Sequence, residues 1–200
     1  MKKGFTLIEF MIVLAIIAIL ALIAVPPMYK RLSEHSRSQA AQSLLKQIGQ
    51  AEQALQQFSQ AEDDPAAGQG GHVDSAVPEN IATLASFGFQ PATDVAFYID
   101  VDAVGGGFVA FAGHVDAGSP VFVCDNDNCT GDGGAVVPWD SNYIAPKGFT
   151  LPAGADAFKI YTYNDAAKTA ALERTCAFTA LSAVAPARIE ACAAAAPAGP

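Results

Sequence analysis

KGFTLIEF, residues 3–10, joins a short basic N-terminus to a long apolar run and decides how the whole chain is interpreted. The run from Phe10 to Val25 contains no polar residue. Together with the apolar residues before it, the segment is about 21 residues long, or ~31 Å as an α-helix, which is enough to cross the core of a bilayer. Glu9 lies near its start, where a carboxylate is costly unless it meets a cation. The stretch therefore predicts a membrane-length helix in which Glu9 has a specific partner.

Two common kinds of N-terminal segment account for only part of this pattern. A secretory signal peptide also places lysines before an apolar run, but this run is too long and lacks a small-x-small cleavage site at its end. A plain membrane anchor has no use for Glu9. The letters KGFTL return at residues 147–151, where neither a glutamate nor an apolar run follows them. The signal therefore lies in the combination of these letters, the acid and the apolar run.

The apolar segment continues into a polar stretch that keeps helical spacing. Pro26 and Pro27 interrupt it, and because each proline removes a backbone donor we expect the helix to bend there. Beyond the prolines, apolar residues recur at intervals of three and four and form one stripe: Leu44, Ile48, Ala51, Leu55 and Phe58. The opposite face is polar and carries Gln42, Lys46, Gln50, Gln53 and Gln57. We predict one long bent helix that ends near Glu62, before an Asp-Asp-Pro sequence.

The second half of the chain has the composition of a β-rich domain. Residues 66–80 are predicted to form a loop and Ile81–Phe87 a short helix. Segments rich in Val, Phe, Tyr and Ile predict strands at residues 95–101, 108–115, 121–124 and 157–163, with a further candidate at 175–184. Three consecutive glycines separate the first two strands and predict a hairpin. The Ala/Pro/Gly-rich C-terminal tail is predicted to be frayed.

Four cysteines lie in this β-rich half: Cys124, Cys129, Cys176 and Cys192. An even number beyond the apolar segment indicates disulfides formed in an oxidising compartment. The spacing is not a standard zinc spacing, and no histidine lies near either pair. Three connectivities are possible, and proximity in the sequence favours Cys124–Cys129 and Cys176–Cys192.

The remaining polar residues give weaker functional signals. Asp125, Asp127 and Asp132 could bind Ca²⁺, but the segment lacks the glycine and the closing glutamate of an EF-hand, and a disulfide-closed polar turn is the alternative. The histidines His35, His72 and His114 have no metal or catalytic spacing and are predicted to lie at the surface. The single tryptophan, Trp139, is predicted to anchor a loop. A net charge of −9 makes nucleic acid a poor default partner.

Lys3–Glu9, followed by the apolar run and a proline at position 26, resembles the N-terminus of a type IV prepilin. This superfamily comprises type IV pilins and the pseudopilins of type II secretion. The resemblance implies a class III leader, which prepilin peptidase cuts between Gly4 and Phe5 before Phe5 is N-methylated. It implies that Glu9 pairs with the Phe5 amine of a neighbouring subunit during assembly. Pro26 matches the helix-bending proline of the family, to which Pro27 adds a second.

The resemblance also implies an organisation for the chain. The expected fold is α+β, with a long bent N-terminal helix packed on an antiparallel β-sheet head. Residues 1–4 are then the leader, residues 5–26 the membrane-spanning and filament-core half of the helix, residues 27–62 its amphipathic half, and residues 63–200 the extracellular head.

The implied function is structural rather than enzymatic, and it requires no cofactor. The subunit would first be inserted in the bacterial inner membrane, with its N-terminus in the cytoplasm. It would then polymerise with other copies of the same chain into an extracellular type IV pilus. Such filaments serve adhesion, motility or DNA uptake. The implied partners are prepilin peptidase, an assembly ATPase and a platform protein. The alternatives are a type II secretion pseudopilin, a minor pilin, or a single-pass membrane-anchored enzyme or binding protein.

Overall fold

The computed structural model describes residues 7–62, 71–102, 107–130, 136–154, 157–179 and 186–194, and it leaves out the side chains of residues 21–28, 59–62, 127 and 130. The chain divides into two units, residues 1–36 and residues 37–200. The predicted leader, together with Phe5, lies outside the described residues. The glycine-rich turn predicted between the first two strands is also mostly outside them, since residues 103–106 are not described.

The first element is a single long helix, α1, which spans Leu7–Glu62. The predicted long helix is therefore confirmed as far as Glu62, where this part of the description stops, and its predicted end there stays a prediction. Pro26 and Pro27 fall within α1, and the bend expected at them stays a prediction. No helix in the described part of the chain is long and apolar enough to cross a membrane.

Within the second unit, α1 buries one face against the sheet. The buried face carries Ala41, Leu44, Leu45, Ile48, Ala51 and Leu55, all at most 7% exposed. Of the residues predicted for the polar face, Gln42 is partly buried and the other four are exposed: Lys46, Gln50, Gln53 and Gln57. Phe58 differs from the prediction because half of its side chain is exposed, although its ring lies 5.6 Å from the ring of Phe87. The helix thus supplies one apolar layer of the head.

Within the described residues, seven antiparallel strands form one sheet in the order β4-β3-β2-β1-β5-β6-β7. The strands are β1 Val95–Val101, β2 Phe108–His114, β3 Val121–Asp125, β4 Val137–Pro138, β5 Phe158–Asn164, β6 Thr169–Phe178 and β7 Ile189–Ala194. Helix α2, Pro78–Ser86, precedes β1, and the short helix α3, Asn126–Thr130, follows β3. An N-terminal helix packed on an antiparallel sheet confirms the α+β prediction.

Each face of the sheet buries its own apolar cluster, because side chains alternate along each strand. On the α1 side lie Phe97, Ile99 and Phe108, together with Ile81 and Leu84 of α2. On the other side Phe111, Phe158 and Ile160 pack with Trp139. Trp139 is 2% exposed, in agreement with its predicted role as the anchor of a loop.

The strands at the C-terminal end differ most from the prediction. The strand expected at residues 175–184 begins earlier, and β6 spans Thr169–Phe178. Strand β7 lies in what was predicted to be the start of the frayed tail. Alanine has a low intrinsic preference for strands, so the alanine-rich composition of residues 189–194 did not predict a strand. Pairing with β6, including Cys176 opposite Cys192, holds this segment in the sheet.

Candidate functional site

The N-terminal part of α1 is the candidate assembly site. Glu9 lies in α1, near the first described residue of that helix, Leu7. Gly4 and Phe5 lie outside the described residues, so the expected cleavage and the pairing of Glu9 with a Phe5 amine stay predictions.

The apolar segment that follows Glu9 exposes an unusually large hydrophobic surface. Between Leu7 and Leu20, eleven large apolar side chains keep from 46% to 79% of their surface accessible: Leu7, Ile8, Phe10, Met11, Ile12, Val13, Leu14, Ile16, Ile17, Ile19 and Leu20. Soluble monomers rarely expose a contiguous apolar patch larger than a few hundred Å². This surface therefore requires an apolar environment, which other copies of the helix or a lipid phase could supply.

Both disulfides favoured by proximity in the sequence are present in the head. Cys124 at the end of β3 joins Cys129 in α3, and Cys176 of β6 joins Cys192 of β7. The first disulfide closes a loop that lies directly on α1. A Cβ atom added at Gly49 would be 2.5 Å from the Cβ of Cys129. Only glycine allows the helix and this loop to approach so closely.

The aspartate-rich segment that contains Asp125, Asp127 and Asp132 shows no cation site among its described residues. The Asp125 carboxylate accepts a hydrogen bond from the backbone N–H of Asn128 at 3.2 Å, which favours the start of α3. The side chain of Asp127 and the whole of Asp132 lie outside the description. Within the described residues, no group of three or more His, Cys, Asp or Glu side chains could hold a metal ion. The calcium hypothesis therefore stays untested.

The prediction that all three histidines lie at the surface is wrong for His72. His35 is exposed, and His114 is partly buried between Asp94 and Asp116, with a ring nitrogen 3.6 Å from a carboxylate oxygen of each. His72 is 4% exposed because its ring packs against Phe108 and pairs with a buried glutamate.

That glutamate, Glu52, is a residue the sequence-based reasoning missed. Its carboxylate is completely buried, and its Oε2 atom lies 3.0 Å from Nδ1 of His72. Burial raises the pKa of the Glu52 carboxyl, and the hydrogen bond with His72 opposes part of that rise. A signal was available, because Glu52 follows Ile48 by four residues and precedes Leu55 by three, so it lies on the buried face of α1.

The second KGFTL segment, residues 147–151, has a defined place in the head. Gly148 has a φ of 103°, and the Phe149 ring packs against the apolar cluster on the side of the sheet opposite α1. The backbone N–H of Thr150 donates a hydrogen bond to Asp100 at 2.5 Å. This copy of the five letters is therefore part of a packed loop.

Comparison with known proteins bears on the N-terminal segment alone. Residues 1–25 match the family described as the prokaryotic N-terminal methylation motif. This motif is the class III leader of type IV pilins and pseudopilins, and it includes Gly4, Phe5 and Glu9. The resemblance inferred from Lys3–Glu9 is thereby confirmed. No curated protein matches the chain.

Proposed function

We propose that this chain, which carries the class III leader of type IV pilins and pseudopilins, is a structural subunit that polymerises into a type IV pilus. The single observation that carries the proposal is the match of residues 1–25 to the N-terminal methylation motif. The exposed apolar surface of α1 between Leu7 and Leu20 supports it, because polymerisation would bury that surface among copies of the same helix.

The chemistry of the first residues suits this role. Cleavage after Gly4 would create a cationic amine on Phe5, and Glu9 is the nearest acid in the sequence. Glycine has no side chain, so a protease can approach the peptide bond closely. Between packed apolar helices the effective dielectric constant is low, so an amine–carboxylate pair would be strong and would restrict the register of neighbouring subunits.

The proposed location changes during assembly. Residues 5–26 would first insert in the bacterial inner membrane with the N-terminus in the cytoplasm, and the head would lie outside, where its two disulfides are stable. The same segment would then become the filament core. Prepilin peptidase, an assembly ATPase and a platform protein are the proposed partners. No direct contact with nucleic acid is proposed, in keeping with the net charge of −9.

A pseudopilin of type II secretion or a minor pilin is the second candidate, because the leader motif is common to pilins and pseudopilins. Electron microscopy of filaments sheared from cells would distinguish these possibilities. Long surface filaments composed mainly of this chain indicate a major pilin, whereas their absence favours the second candidate.

Substitution of Glu9 tests the assembly chemistry. We expect Glu9→Ala to be cleaved and N-methylated at Phe5 but to yield few or no filaments, because a buried amine would lose its partner. Mass spectrometry of the N-terminal peptide measures processing, and recovery of sheared filaments measures assembly. Glu34→Ala is the control, since Glu34 is the next acid on the same helix and lies outside the matched motif. Normal filaments from Glu9→Ala would contradict the assigned role.

A mature chain that begins at Met1, or that is cut after the apolar run, would contradict the whole proposal. Either result would favour a membrane-anchored enzyme or binding protein instead.

A further inference from the structure

A buried acid–histidine pair, Glu52 and His72, connects helix α1 to the segment that begins at Gly71. The Nδ1 atom of His72 lies 3.0 Å from Oε2 of Glu52, and the two side chains are 2% and 0% exposed. The backbone N–H of Val73 donates a second hydrogen bond, of 3.2 Å, to the same Oε2 atom. One carboxylate oxygen thus holds both a side chain and the main chain of the following segment against the helix.

The surroundings of the pair offer little compensation for a buried charge. The Phe108 ring of β2 lies 5.3 Å from the His72 ring, and the sheet presents apolar side chains to this region of the helix. Within the described residues, the charged groups that act on the Glu52 carboxyl are His72 and Asp74, both on the segment after the helix. Oε1 of Glu52 and Nε2 of His72 have no hydrogen-bond partner among these residues.

The number of protons bound to the pair decides whether its burial is energetically favourable. With Glu52 ionised and His72 neutral, the core holds one net negative charge, and the nearby Asp74 carboxylate makes it less favourable. With one more proton, bound by the Glu52 carboxyl, the pair has no net charge. In the unfolded chain both side chains are hydrated and this difference disappears.

We propose that Glu52 and His72 form a proton-operated latch, which fastens residues 71–73 to helix α1 and tightens when the pair takes up a proton. The latch lies entirely in residues 37–200. It is independent of the proposed assembly function, and either proposal can fail without the other.

The sign of the pH dependence follows from the burial of Glu52. Burial raises the pKa of its carboxyl above the ordinary value of 4.5, so the folded state binds the proton more tightly than the unfolded state does. The resulting stabilisation is fully present below the ordinary value and is lost as the pH rises through the raised one. The latch is therefore expected to loosen toward neutral and alkaline pH.

Hydrogen exchange at the Val73 amide measures the latch directly, because this amide donates to Glu52. The full-length chain is labelled with ¹⁵N-valine in detergent micelles, and protection factors are measured between about pH 5 and pH 8, above the ordinary pKa of a glutamate carboxyl. We expect Val73 protection to fall as the pH rises, by up to about tenfold per pH unit, the limit for one linked proton. Val121, whose amide donates to the Ala187 carbonyl, is the internal control and should keep its protection.

Two variants complete the test. Glu52→Gln keeps an acceptor for His72 and Val73 but removes the titrating carboxyl, so the protection of Val73 should no longer fall as the pH rises. Glu190→Gln, which changes an exposed acid on β7, should behave as the unaltered chain does.

A pH-independent protection of Val73 in the unaltered chain overturns the proposal. A fall in Val73 protection with rising pH that persists in Glu52→Gln overturns it as well. If Glu52→Gln does not fold, a ¹³C carboxyl titration of Glu52 in the unaltered chain decides the question. A midpoint at or below 4.5 would then overturn the latch.

Discussion

Gly49 offers the sharpest test of how α1 and the disulfide-closed loop pack together. A methyl group at this position would lie 2.5 Å from Cβ of Cys129 and 3.1 Å from both its carbonyl carbon and its carbonyl oxygen. Two of these three atoms belong to the backbone of α3, so a side-chain rotation cannot relieve the contact. We therefore expect Gly49→Ala to force the helix and α3 apart.

Two opposing effects set the size of this change. Alanine stabilises a helix interior by about 1 kcal/mol relative to glycine. Overpacking of a tight contact typically costs about 1–3 kcal/mol, and a 2.5 Å contact with a loop closed by a disulfide belongs at the upper end of that range. The expected net result is a loss of about 1–2 kcal/mol in the free energy of unfolding. For a chain of this size that corresponds to a decrease in Tm of roughly 2–8 °C.

Trp139 provides the assay, because it is the single tryptophan and is 2% exposed on the face of the sheet opposite α1. Its fluorescence, followed during denaturation of the full-length chain in detergent, reports unfolding of the sheet rather than a local shift at the helix. Gln50→Ala is the matched control, since Gln50 is the exposed neighbour and should change stability by less than about 0.5 kcal/mol.

A second measurement isolates the steric cause. The cost of Gly49→Ala should shrink in a Cys124→Ser/Cys129→Ser background, where α3 is free to move aside. If Gly49→Ala is as stable as the unaltered chain, or more stable, the loop does not resist displacement and the reasoning is refuted.

Two further predictions concern other parts of the head. Replacement of Cys176 and Cys192 by serine should lower the free energy of unfolding by ~3 kcal/mol, because the disulfide closes a loop with a sequence separation of 16. If a denaturant titration gives the same stability for this variant and the unaltered chain, β7 is held by strand pairing alone. Gly148→Ala should lose roughly 1–3 kcal/mol because its φ is 103°. Gly118→Ala, with a φ of 84° and nothing within 4 Å, should lose a similar amount, since the Asp102 carboxylate 2.5 Å from the new Cβ at position 148 can rotate away; unchanged stability of either variant in a denaturant titration would contradict the strain argument.

The parts of the fold that were predictable are those in which local sequence and tertiary structure agree. The hairpin of β1 and β2 combines β-branched and aromatic residues with a glycine-rich connection, and its strands match the prediction within one residue. The buried stripe of α1 follows from its three- and four-residue intervals. In both cases the local preference of the chain and the burial in the fold point to the same structure.

The parts that were missed depend on contacts between distant segments. Half of the residues of strand β7 are alanine, and its place at the edge of the sheet depends on the Cys176–Cys192 bond and on pairing with β6. His72 follows a segment whose glycine-rich sequence is typical of an exposed loop, but it is buried against Phe108 and against Glu52, which lies twenty residues earlier on the inner face of a helix. Sequence patterns of period two or 3.6 contain no information about such pairs.

The two KGFTL segments show how context separates a processing signal from an ordinary stretch of chain. A protease needs an accessible, extended peptide bond, but the bond between Gly148 and Phe149 follows a left-handed residue and precedes a ring packed against the sheet. The hydrogen bond from Thr150 to Asp100 holds the next residue as well. No membrane-length segment follows this bond to present it to a membrane protease. Glu9 and the apolar run, which lie within the residues that match the methylation motif, therefore distinguish the first copy from the second.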